Sequence, residues 1–182
     1  SITVEEPIVK ESIGETITVT AHGQTIAQAF ITDTSGDWVL ANVEIKLRKI
    51  GAPTHNVQVR LYTDYLSAPG TWSATAIFSA ADISGDEQGR WMSAAFDVPI
   101  TLDNATTYCL VVLRDGANDS ADYYEVYVDD SGSYPNGGVL LYTGAAYTAP
   151  VNPLSLLFRL KGAVDTALQA KAMCEATGVF VA

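Results

Sequence analysis

Trp38-Val39-Leu40-Ala41-Asn42-Val43-Glu44-Ile45-Lys46-Leu47-Arg48 is the stretch on which the reading of this chain turns. Val43, Ile45 and Leu47 face one way, and Glu44, Lys46 and Arg48 face the other. That period of two belongs to an extended strand with one buried face. The same pattern recurs on either side. Upstream lie Thr16-Ile17-Thr18-Val19-Thr20 and Ile26–Ile31, and Thr32-Asp33-Thr34-Ser35-Gly36-Asp37 then supplies turn-forming side chains. Downstream, Val57-Gln58-Val59-Arg60-Leu61-Tyr62 alternates again after Gly51-Ala52-Pro53, and Pro69-Gly70 precedes a strand over Trp72–Phe78. Trp91-Met92-Ser93-Ala94-Ala95-Phe96-Asp97-Val98 follows, with Pro99 limiting it to an edge or ending it.

Thr107-Tyr108-Cys109-Leu110-Val111-Val112-Leu113 is the most continuously apolar run and is predicted to lie centrally, buried on both faces. Strands over residues 123–128, Val139–Tyr142 and 154–160 complete the series, with a loop over residues 129–138. About ten short strands with turn signals every ten or so residues predict an all-β fold, an antiparallel jelly-roll β-sandwich over residues 1–162. No helical segment separates the strands, which sets aside a parallel α/β sheet. Residues 163–182 differ. Asp165-Thr166-Ala167-Leu168-Gln169-Ala170-Lys171-Ala172-Met173-Cys174-Glu175-Ala176 is rich in helix formers, with a cap at Asp165 or Thr166 and a stop at Gly178. This short C-terminal helix is expected either to pack back on the sandwich or to lead into a following module.

The 182 residues suit one domain with an appendage. Twenty-one acidic against ten basic residues give a net charge of −11, which opposes binding to nucleic acid or to anionic membrane surfaces. No uninterrupted apolar run approaches the roughly 20 residues of a membrane span, so no membrane insertion is expected. Cys109 and Cys174 are compatible with one bridge or with two separate thiols.

Beyond these patterns, Gln24-Thr25-Ile26-Ala27-Gln28-Ala29-Phe30 and the Trp38–Leu47 segment, followed by Gly51-Ala52-Pro53-Thr54, the Val57–Asp64 segment and Ala68-Pro69-Gly70, form the opening of a recurrent module. It continues with the Trp91–Phe96 segment, Pro99-Ile100-Thr101-Leu102 and the Thr106–Val112 segment. The sequence over residues 24–161 resembles the choice-of-anchor β-sandwich domains of bacterial surface proteins, which occur also in phage virion proteins and beside carbohydrate-active enzymes. The resemblance implies a non-enzymatic domain, located outside the cell, on the cell surface or on a virion, that holds a ligand or a neighbouring domain. It carries over no binding residues. A helical tail in place of a cell-wall sorting signal after Gly162 keeps a phage structural protein in view.

The residues agree with a non-catalytic reading. His22 and His55 stand beside turns and neighbour no nucleophile in sequence, and nucleophile-elbow, zinc and phosphate-loop motifs are missing. Asp82, Asp86 and Glu87 read as a solvated acidic loop. For a cation, calcium suits the chemistry best, because hard cations take several carboxylate and carbonyl oxygens. Asp115, Asp119 and Asp122 in one loop are the candidate ligands, though the bidentate closing glutamate of a calcium loop is missing.

Sugar binding rests on aromatic rings that stack on the apolar face of a pyranose, with polar side chains for its hydroxyls. Trp38, Trp91 and Tyr108 lie within strands and are assigned to the core or its rim. Tyr65, Trp72, Tyr134 and Tyr147 lie in or beside loops, with Arg90, Asn118 and Asn136 as polar contacts. Two functions follow. One is adhesion or carbohydrate recognition, with a glycan or surface polymer as partner. The alternative is a purely structural virion domain packing against neighbouring subunits, including copies of itself as a homo-oligomer.

Overall fold

Leu141, Ile26, Val112, Val59, Ala76 and Phe96 stand in register across six strands, one residue from each, in a single apolar row. Rows of this kind arise because alternation places every second side chain on one face, and burying that face is what removes apolar surface from water. The computed structural model describes residues 3–6, 16–19, 26–32, 38–63, 69–129, 137–142, 145–150 and 154–164. They form β1 (Thr3–Glu6), β2 (Thr16–Val19), β3 (Ile26–Ile31), β4 (Trp38–Ile50), β5 (Val57–Tyr62), β6 (Trp72–Phe78) and β7 (Arg90–Leu102). The series continues with β8 (Thr107–Arg114), β9 (Tyr123–Asp129), β10 (Val139–Tyr142), β11 (Tyr147–Thr148), β12 (Ser155–Leu156) and β13 (Phe158–Val164). All described pairings are antiparallel.

Two layers face one another, as in a β-sandwich. In the first, β4 pairs with β7 along one edge. Its other edge is shared: β13 takes the stretch from Trp38 to Ile45 and β9 takes Leu47 to Ile50. The handover occurs at Lys46, whose amide donates to the Leu157 carbonyl while the Leu157 amide donates to Tyr127. In the second layer the order is β11, β10, β3, β8, β5, β6. A single core fills the space between them, with Leu40, Val43, Ile45, Leu47 and Phe158 from the first layer against Phe30, Val59, Leu61, Leu110 and Val112 from the second. Phe30 and Phe158 meet across it, ring centroids 6.2 Å apart.

Several expectations meet the structure directly. β8 is buried on both faces: Tyr108, Leu110 and Val112 join the main core, while Cys109, Val111 and Leu113 form a second cluster with Ala27 on the outer side. Tyr108 is a core residue, stacked on Phe30, and its hydroxyl accepts the Asp103 amide. Glu44 and Arg48 of the charged face of β4 hold Lys161, Arg159 and Glu125 in ion pairs. Pro99, in contrast, does not end its strand. β7 leaves β4 between Ala95 and Ile100, and within this excursion Phe96 pairs with Ala76 of β6. The proline sits where β4 asks for no amide donor, the position a sheet allows it. The segment at 154–160 divides at Leu157 into β12 and β13, and β13 runs to Val164, two residues past the expected boundary at Gly162. The expected helix from Asp165 onward lies outside the described residues, and among those described there is no helix.

Candidate functional site

The outward-facing side chains of the second layer differ from those of the first. Gln58, Arg60 and Tyr62 alternate with the core residues of β5, and their register partners on β6 are Ile77, Thr75 and Trp72. Trp72 is 53% exposed, yet it is held in place. Its Nε1 donates to the Ala74 carbonyl at 3.2 Å and to Thr75 Oγ1 at 3.1 Å. The Arg60 guanidinium stacks on its ring, 4.3 Å from the centroid. Gln58 Oε1 in turn accepts Arg60 Nε at 3.2 Å and Nη2 at 3.0 Å, which fixes the guanidinium plane. The result is a pre-ordered row of amide, guanidinium and indole along the sheet surface.

Beside that row runs an open groove of about 620 Å³, lined by Gln58, Arg60, Leu113, Arg114, Asp115, Gly116 and Ala117. Its far wall is Asp115, Gly116 and Ala117, the start of a loop that runs to Asp122 and whose chemistry explains its shape. The Asp119 carboxylate accepts the amides of Ala121 and Asp122, and these bonds hold its pKa below the usual carboxylate range. Asp122 Oδ1 accepts the Ala52 amide at 2.7 Å. Gly51 has φ +69° and lies so close that a Cβ there would run into Asp122 and the Ala121 carbonyl, so only glycine suits this turn. Asn56 ties the loops together, its Oδ1 accepting the Ala80 amide and its carbonyl accepting the Asp115 amide. Tyr124, buried beneath, donates to the His55 carbonyl at 2.6 Å; desolvation raises its phenol pKa, offset in part by the charge of Arg114.

The Arg114 side chain lies beneath the sheet, on the face of its register partner Val57 and near the Tyr124 ring. It is 4% exposed, its Nη1 donates to the Asp122 carbonyl at 2.7 Å, and its Nε has no partner among the described residues. A smaller cleft of about 190 Å³ lies on the other side of Arg114, lined by residues 52–55, Ala117, Asn118, Asp119 and Asp122.

The expected site residues therefore separate. Trp72 stands at the groove row, Asp115 lines the groove, and Asn118 lines the neighbouring cleft. Tyr147 is half-buried against the outer cluster of Ala27, Cys109, Val111 and Leu113, tilted against Tyr142 at 5.1 Å, and thus packs the sheet. Arg90 is exposed at the start of β7, 3.6 Å from Asp86, and does not line the groove. Tyr65, Tyr134 and Asn136 lie outside the described residues. Asp115, Asp119 and Asp122 do not converge: Asp115 sits 3.9 Å from His55 Nδ1, and the other two bond backbone amides of different segments. Among the described residues no group of three His, Cys, Asp or Glu side chains is placed to hold a metal ion. Gln58, Arg60 and Arg114 were not singled out from the sequence. The alternation of Val57–Tyr62 already puts the first two on the solvent face, but only the pairing of β5 with β6 and β8 shows what stands beside them. No protein-family model matches this chain, and no curated protein matches it.

Proposed function

We propose that this all-β unit is a non-catalytic carbohydrate-binding or adhesion module of jelly-roll type, carried by an extracellular protein of a bacterial surface or a phage virion. The observation that carries the reading is the half-exposed Trp72, clamped by two hydrogen bonds and by Arg60, which lines the open groove. The face of this rigid indole turned away from Arg60 offers the C–H face of a pyranose a stacking platform at little ordering cost on binding. Gln58, Arg60 and Asp115 supply donors and acceptors for ring hydroxyls alongside it. Glycan-array binding followed by titration of the hits tests this. Trp72→Ala is expected to weaken binding at least tenfold while leaving the melting temperature within about 2 °C, since surface changes shift stability by only about 0.5 kcal/mol. An array without hits, or a hit indifferent to Trp72→Ala, refutes the reading.

A second reading draws on Ile77 and Val98, which are 54% and 47% exposed on β6 and β7. Exposed aliphatic side chains on neighbouring strands fit packing against another virion subunit or a second copy of the chain. Light scattering on the intact chain and on Ile77→Ser with Val98→Ser decides it, a monomer in both cases counting against it.

A further inference from the structure

The five arginines of this chain are not used alike. Arg48 lies 2.6 Å from Glu125, Arg90 lies 3.6 Å from Asp86 and Arg159 lies 3.5 Å from Glu44. Arg60 lines the groove and has no carboxylate oxygen within 4.0 Å among the described residues, whereas Arg114 turns to the opposite face of the sheet, in register with the core residue Val57, and bonds the Asp122 carbonyl. In a chain with 21 acidic and 10 basic residues, carboxylates are plentiful, so a guanidinium left without one in a groove marks a place where the counter-charge comes from elsewhere.

The donor inventory points the same way. Arg60 commits Nε and one Nη2 hydrogen to Gln58, which leaves three of its five N–H donors for a ligand. Those donors sit in a rigid plane, because one side of the guanidinium rests on Trp72. A planar, pre-oriented fork suits a carboxylate, which accepts two parallel bonds. Asp115 is the one carboxylate among the lining residues, and it stands beside His55.

We infer that the groove takes an acidic oligosaccharide, a chain of uronate sugars whose carboxylate pairs with the unused donors of Arg60 while a ring stacks on Trp72. This rests on the carbohydrate reading above and adds the ligand class to it. From Tyr62, beside Trp72, to Val57, beside Arg114, β5 runs five residue steps, about 17 Å of strand, a length that accommodates several sugar units.

The test titrates the intact chain by calorimetry with tetragalacturonate and tetramannuronate, and with the same oligomers after their carboxyl groups are reduced to alcohols. At least one uronate is expected to bind, its reduced form at least tenfold more weakly. The uronate affinity should fall as NaCl rises from 0.05 to 0.5 M. Arg60→Gln is expected to lower uronate affinity at least tenfold and affinity for the reduced oligomer by a clearly smaller factor, and Arg60→Lys to retain part of the uronate affinity. Should Arg60→Gln fail to fold, the comparison of acid and alcohol on the unaltered chain still decides. Equal binding of acid and alcohol overturns the inference and leaves the carbohydrate reading standing. Uronate binding indifferent to Arg60→Gln also overturns it. Binding of no oligomer overturns the inference, and the glycan array then decides the carbohydrate reading by itself.

Discussion

Gln28 is a fully buried amide in the middle of an apolar strand, and its removal should be among the costliest single changes in the protein. Its Oε1 accepts the Leu156 amide at 2.7 Å, and its Nε2 donates to the Ala29 carbonyl at 2.7 Å. The side chain thus clips β3 of one layer to β12, which pairs with β9 of the other. Gln28→Leu keeps the volume but offers neither bond, and the two backbone partners cannot be replaced along with it. An orphaned buried amide costs about 1–3 kcal/mol, and losing the bond to the Ala29 carbonyl costs about 1 kcal/mol more. The expected loss of about 3 kcal/mol corresponds to a fall in Tm of about 6–12 °C for a domain of this size. Gln28→Glu sharpens the test. A protonated carboxyl accepts from Leu156 and donates to Ala29 as the amide does, whereas the ionised form has no donor and is buried.

The folded pKa of that glutamate must therefore rise above its unfolded value of about 4.3. The unfolded state then loses its proton first as pH increases, so stability falls by about 1.4 kcal/mol per pH unit from about pH 4 up to the folded pKa. Urea denaturation of wild type, Gln28→Leu and Gln28→Glu at pH 4 and pH 7 measures this. A leucine deficit independent of pH and a glutamate deficit that is small at pH 4 and large at pH 7 are expected. A leucine variant within 1 kcal/mol of wild type, or a glutamate deficit equal at both pH values, would show that the clip is not what joins the layers.

Cys109 is a free thiol that burial pushes from 9.0 up to about 12, so it should resist thiol reagents in the folded state and react only on unfolding. Rapid labelling in a Cys174→Ser background would contradict its placement. Because the unfolded thiol ionises first, stability should also decline between about pH 9 and 12, and Cys109→Ala should lessen that decline. Gly51→Ala forces a side chain into a left-handed turn against Asp122, and a loss of about 1–3 kcal/mol by denaturation is expected. Unchanged stability would mean that the turn relaxes. Calcium added to chelator-treated protein should leave Tm unchanged, since Asp119 and Asp122 already bond backbone amides; a rise of several degrees would show that the loop rebuilds around the ion.

Much of the fold was legible before any coordinates. A period of two is a local property, so Val43, Ile45 and Leu47 declare their buried face, and the unbroken apolar run of β8 declares two buried faces, wherever the partners lie. Turn residues between the runs reverse the chain, but among the described pairings only β5–β6, β6–β7 and β10–β11 join consecutive strands. What the alternation cannot specify is which strand lies beside which. The sharing of the β4 edge between β13 and β9 and the excursion of β7 at Pro99 depend on registers between residues far apart in the chain. The groove shows the same division. Sequence placed Trp72 among loop-side aromatics and Gln58 and Arg60 on an outward face. Only the pairing of β5 with β6 and β8 set the guanidinium on the indole and Arg114 beneath the groove, because contact between side chains outside the core is decided by lateral strand order, which leaves no periodic trace in the chain.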